Sequence, residues 1–202
     1  MIAALYIDER GPCVGLPGVD AWGISRDARL YAGPYPVVAH PPCARWCRLA
    51  KLVESRGGKA VGDDGGTFAA ALAAVRRWGG VLEHPAWSLA WGAHGLLAPP
   101  ARGWQRDTTG EWVCEVSQAA YGHRAPKATW LLYVGGPAPL PLKWDRPETA
   151  YTVTTSLRRG QRHGTKMGPG QSSRTPGPFR DLLIALAEQS RSPRDQGIAD
   201  TV

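Results

Sequence analysis

The chain predicts an α/β fold, a mostly parallel sheet flanked by helices, and three observations carry that expectation. Short apolar runs at residues 3–7, 37–39 and 81–83 end abruptly in charged residues or prolines, as buried strands do where they open onto loops. Helix-like stretches separate them, the clearest being the alanine-rich residues 68–78. Two further apolar or alternating runs, residues 111–116 and 129–134, extend the series. Strands that alternate with helices are most simply joined by crossovers between parallel neighbours.

Taken in order, residues 3–7 form a first strand that ends at Asp8. Residues 11–36 are rich in glycine and proline and read as a long ordered loop with room for one short strand. Val37 to Ala39 is the second strand, stopped by Pro41 and Pro42, and a helix is expected over residues 44–55. A glycine-rich connection, residues 56–66, leads to Thr67, which caps the helix over 68–78; Gly79 and Gly80 end that helix. Val81, Leu82 and Glu83 are a short strand opening onto His84-Pro85, and residues 86–91 read as helical. A proline-rich linker spans 135–147, and Thr175-Pro176 opens an amphipathic helix over 179–188. The division expected is an α/β core over 1–135 with the candidate pocket, a segment of linker, basic loop and helix over 136–190, and a frayed tail over 191–202.

Charge and aromatic content bound the partner. Twenty-four Lys and Arg stand against 17 Asp and Glu, a net charge of +7, which suits a polyanion such as DNA. Residues 154–174 hold Arg158, Arg159, Arg162, Lys166 and Arg174 with no acid, a pattern that favours phosphate contact. Nine tryptophans supply core bulk or stacking platforms for bases. The opening residues are too short an apolar run for a secretory signal, and no stretch is long and apolar enough for a membrane span. Cytoplasmic location, reduced thiols and no membrane partner are therefore expected.

Three strand ends in succession carry reactive groups. The first is His40-Pro41-Pro42-Cys43, followed by Arg45 and Trp46; the second is Glu83-His84-Pro85; the third runs from Gln118 through His123 and Arg124 to Lys127. Parallel strands gather their carboxyl ends on one edge, so these groups are expected to converge there. A thiol, a carboxylate, imidazoles and cations in one crevice suit nucleophilic catalysis. The prolines stiffen the approach to Cys43, and a helix start beside Arg45 would favour its thiolate.

This order of motifs resembles the DNA cytosine-5 methyltransferase superfamily, especially its short phage-type relatives. Pro42-Cys43 matches the family's nucleophile loop, Leu82-Glu83-His84-Pro85 stands where the Glu-Asn-Val strand end occurs, and Gln118 to Lys127 is a loose counterpart of Gln-x-Arg-x-Arg. The resemblance implies a shortened Rossmann-like methyltransferase-type domain. It implies that Cys43 adds to C6 of a pyrimidine in DNA while Glu83 holds N3 and the exocyclic amine, so that C5 accepts an electrophile. It further implies a flipped target base, with His40, Pro42, Arg45, Trp46, His84, Gln118, His123, Arg124 and Lys127 lining the substrate site. S-adenosylmethionine is the family's methyl donor, and Asp8 marks its place here. The following Glu9-Arg10-Gly11-Pro12-Cys13, however, lacks the Phe-x-Gly-x-Gly pattern that would hold it.

Two other readings follow from the same residues. A catalytically silent DNA-binding protein would use the pocket and the basic loop alone, and a pyrimidine nucleotide enzyme would use the positive charge only for phosphate. No metal is expected. Cys43-x-x-x-Cys47 is one residue too long for the zinc deaminase pair, and Glu83 follows it instead of preceding it.

Overall fold

The computed structural model describes residues 1–152 and 165–190. Its core is a seven-stranded mixed sheet with helices on both faces, an α/β architecture. In chain order the elements are β1 (Ile2–Leu5), β2 (Val19–Trp22), β3 (Val37–Ala39), α1 (Arg48–Ser55), α2 (Thr67–Trp78), β4 (Gly80–Pro85), α3 (Leu89–Ala93), β5 (Gln105–Arg106), β6 (Trp112–Ser117), β7 (Ala128–Val134), β8 (Tyr151–Thr152), β9 (Thr165–Lys166), α4 (Pro169–Ser172) and α5 (Gly177–Gln189).

The sheet order is β2-β1-β3-β4-β7-β6-β5. The pairings β1–β2, β1–β3 and β3–β4 are parallel, whereas β4–β7, β7–β6 and β6–β5 are antiparallel. The sheet is thus half antiparallel, not mostly parallel as expected. The chain returns from β6 through the short 118–127 turn, and that connection is too short for a parallel crossover. Because β7 is inserted between β4 and β6, β6 itself runs parallel to β4. The carboxyl ends of β1, β3, β4 and β6 and the start of β7 therefore share one edge. The chain leaves β1 first toward β2 and later returns to β3 on its other side. This places a topological switch point between β1 and β3, where open α/β sheets bind their ligands.

Alternation along each strand builds two cores. Ala3, Leu5, Val37, Ala39, Leu82 and Leu132 face α2, whose Phe68, Ala71, Leu72 and Val75 are buried against them. Ile2, Val38, Val81, Leu131 and Tyr133 face α5, covered by Phe179, Leu183, Leu186 and Ala187. The C-terminal helix accordingly closes the second face of the core sheet.

Two local expectations are corrected. The helix after the prolines starts at Arg48, not residue 44, because residues 43–46 form a turn closed by Trp46 N–H donating to the Cys43 carbonyl at 2.9 Å. Cys47, in extended conformation, is the residue that caps α1. At the start of α2 the capping oxygens belong to Asp64, which accepts from the Gly66 and Phe68 amides and from the Thr67 hydroxyl. Arg158, Arg159 and Arg162, and the tail expected beyond 190, lie outside the described residues. The backbone of Lys166 pairs in β9 with Thr152, and Arg174 is exposed.

Candidate active site at the carboxyl edge of the sheet

His40 and Glu83 meet because of register. Val38 pairs with Val81 and Ala39 with Leu82, so the next positions, His40 and Glu83, stand side by side on the α5 face. His40 Nδ1 lies 3.0 Å from Glu83 Oε2, with side chains 17% and 11% exposed. The fully buried Gln118 completes the carboxylate's shell. Its Nε2 donates to Glu83 Oε1 at 3.2 Å and to Thr129 Oγ1 at 3.0 Å. Burial alone would raise the Glu83 carboxyl, but the His40 hydrogen bond and charge, with Lys127 and His84, pull it down to about 2. Glu83 is therefore a carboxylate held by donors on both oxygens.

Cys43 sits half-buried on the loop beyond β3. Its thiol is pushed up by burial first, then by the Glu83 charge and by Cys47, while Lys127 opposes the rise. The expectation of a helix-activated thiolate is thus corrected: α1 begins five residues past Cys43. The Arg45 guanidinium, moreover, donates to the Lys59 carbonyl. Lys127 carries the positive charge here, with Nζ 3.3 Å from the Ser173 carbonyl.

Other expected site residues fall into two groups. Pro42 is exposed beside Cys43, and Arg124 stacks on the Tyr151 ring and donates to its hydroxyl. His123 is buried, its Nδ1 held between the Ala125 amide and carbonyl, and burial keeps its imidazole below the ordinary range. Trp46 and His84, by contrast, belong to the core on the α2 face. The Trp46 indole donates to Asp64 Oδ2 at 2.8 Å and packs on Phe68 and His94. His84 points to the opposite face from Glu83, as strand alternation demands, and packs edge-on against Phe68. It is fully buried, and desolvation lowers its imidazole to about 4 despite the nearby Glu83 charge and the Pro41 and Pro42 carbonyls.

The edge is also where buried polar atoms lack partners. Among the described residues, the buried side-chain atoms without a hydrogen bond belong to Tyr6, His84, Ser117, Gln118, His123 and Tyr133. All but Tyr133 lie toward the carboxyl edge, Tyr6 and His84 on the α2 face and Gln118 beside Glu83 on the other, and such unpaired buried atoms call for water or ligand partners. Strain collects there too. Tyr6, just past β1, and Trp87, just past β4, both have φ of +60°, a conformation rare for bulky residues and costing about 1–3 kcal/mol each. Sequence reading missed Thr129, whose buried hydroxyl orients Gln118, and Trp87; neither strand position nor composition signals them.

The residues past β1 and β2 do not fit S-adenosylmethionine. The stretch directly past β1, residues 6–13, holds no Gly-x-Gly pair at which a cofactor could approach the backbone. The turn at Asp8 instead closes on itself, Gly11 N–H donating to the Asp8 carbonyl and Arg10 N–H to its carboxylate. The Glu9 carboxylate folds over Gly23 and accepts from Ser25 N–H at 2.6 Å. Asp20 accepts from Trp22 and Arg26, and Asp27 from Arg29. The described residues contain no group of three or more metal-ligating side chains, and none of their helices is long and apolar enough to cross a membrane. Comparison with protein-family models, with curated proteins and with solved structures finds nothing that matches this chain.

Proposed function

We propose that the protein acts on cytosine in DNA, activating C5 through a thioether adduct between Cys43 and C6. The observation that carries this reading is the Glu83 carboxylate, held by His40 and Gln118 beside the Cys43 loop at the carboxyl edge of the sheet. A cytosine edge seated on Glu83 donates its exocyclic amine to the carboxylate, and the Cys43 sulfur is then carried by the same edge of the fold toward C6. The Cys43 thiol gives its proton to solvent water, sulfur bonds to C6, the C5=C6 electron pair moves to C5, and the nucleophilic C5 takes an electrophile. Loss of the C5 proton and expulsion of sulfur restore the ring. No step is routed through S-adenosylmethionine, since the residues past β1 do not fit it; a proton from water serves as electrophile in the simplest turnover. The net charge of +7, with Arg124 and Lys127 on this edge, supports DNA as the partner.

The raised Cys43 thiol favours a second reading, a DNA-binding protein of the same fold without turnover. Exchange of the C5 hydrogen of cytosine in DNA separates the two: the enzyme exchanges it and needs Cys43, while the binding protein holds DNA and leaves C5–H untouched.

A further inference from the structure

We propose that His40 holds the proton with which Glu83 engages the base, so that the pair works as one proton-carrying unit; this rests on the pocket being a cytosine site. The edge of cytosine presents an acceptor at N3 next to a donor at N4. A carboxylate accepts only, and it satisfies N4 while setting its own lone pair against that of N3. A carboxylic acid matches both. Glu83 in the free protein is the carboxylate, so binding the base requires a proton to arrive.

The titratable group in hydrogen-bond contact with the carboxylate is His40. His40 Nδ1 is in hydrogen-bond contact with Oε2 at 3.0 Å, whereas Gln118 on Oε1 has no proton to give up. The proton crosses from Nδ1 to Oε2, the imidazole becomes neutral, and Oε2–H turns to N3. Oε1 keeps the Gln118 donor and accepts N4–H on its second lone pair. A hydrogen bond delivered to N3 draws electron density from C6 and favours attack by sulfur. Charge is conserved throughout, and no external acid is needed. The titratable or charged groups around the pair are Glu83 itself and His84 on β4, Cys43 on the loop, and Lys127 before β7. On α5, packed on the same face, the charged Arg180 and Asp181 pair with each other, and Arg180 donates to the Pro12 carbonyl past β1, away from the pair.

The test follows deuterium uptake at cytosine C5 in a DNA oligonucleotide against pH, for wild type, His40→Asn, Glu83→Gln and the double variant. In wild type the rate falls as pH rises and the pair loses the proton it hands to the base. His40→Asn keeps a donor near Oε2 but no titrating proton; it slows exchange about a hundredfold and abolishes that limb. Glu83→Gln presents a fixed donor and acceptor, so its exchange shows no such limb, and the two substitutions are not additive. A limb that survives in His40→Asn or in Glu83→Gln overturns the proton-carrying role while leaving the cytosine site standing. No exchange by wild type on any cytosine DNA overturns the site reading, and this role with it. If His40→Asn does not fold, the Glu83→Gln profile decides alone.

Discussion

His40 and Glu83 occupy the first register positions beyond the paired ends of β3 and β4, and their side chains meet at 3.0 Å on the α5 face. The contact is a product of strand alternation and register. A one-residue slip of β3 against β4 would send one of the two side chains to the other face, so the same register that packs Val38 on Val81 also assembles the site.

Glu83 ties stability to acid pH. Its carboxyl ionises at about 2 when folded against an ordinary 4.5, so the folded state binds fewer protons in between. Its contribution is complete above about pH 4.5 and is lost as pH falls toward 2. Urea denaturation from pH 2 to 7 is expected to show this limb in wild type and to lose it in Glu83→Gln.

His84 acts in a higher window. Buried and held to about 4 against an ordinary 6.5, its imidazole resists protonation in the folded state. Protons therefore favour the unfolded chain, and stability declines as pH falls from about 6.5 to 4. His84→Phe keeps the ring against Phe68 and removes the buried group that titrates. Denaturation at pH 5 is expected to find it at least as stable as wild type, with the limb between pH 6.5 and 4 flattened.

Asp64 is the knot between the Trp46 core and α2. Asp64→Ala frees two amides of the first turn and the Trp46 indole N–H, and is expected to cost about 2 kcal/mol. Trp46→Ala is expected to cost about 4 kcal/mol, since it empties a buried site against Phe68 and His94. Chemical denaturation monitored by circular dichroism measures both.

Gly80 cannot be replaced. It sits at φ +119° where β4 starts beside β3, and a Cβ there would stand 2.0 Å from the Val37 carbonyl oxygen. Because the obstacle is backbone, no rotamer relieves it. Gly80→Ala is expected to cost at least about 3 kcal/mol or to prevent accumulation of folded protein, read by expression and thermal denaturation.

Much of this arrangement was legible in the chain. The strands β1, β3, β4, β6 and β7 announce themselves as apolar runs, and Cys43, Glu83, Gln118 and Lys127 fall at strand ends that the parallel rule sends to one edge. The antiparallel insertion of β7 was not legible, because periodicity fixes a strand but not its neighbour. Trp46 was expected in the pocket because it follows Cys43 closely. The 43–46 turn sends it to the α2 core instead, where Asp64 waits eighteen residues on. His84 follows Glu83 in sequence, but in a strand that very adjacency puts the two on opposite faces.

The most direct measurement of the central claim is deuterium incorporation at cytosine C5 in D2O. A cytosine-containing oligonucleotide, single-stranded and duplex in parallel, is incubated with wild type, Cys43→Ser or Glu83→Ala, and its nucleosides are weighed by mass spectrometry. One added mass unit on deoxycytidine is expected with wild type, at least about a thousandfold less with Cys43→Ser, and retained DNA affinity in that variant. Wild type that binds the oligonucleotide yet leaves C5 unlabelled, or Cys43→Ser that labels it as fast as wild type, would contradict the account.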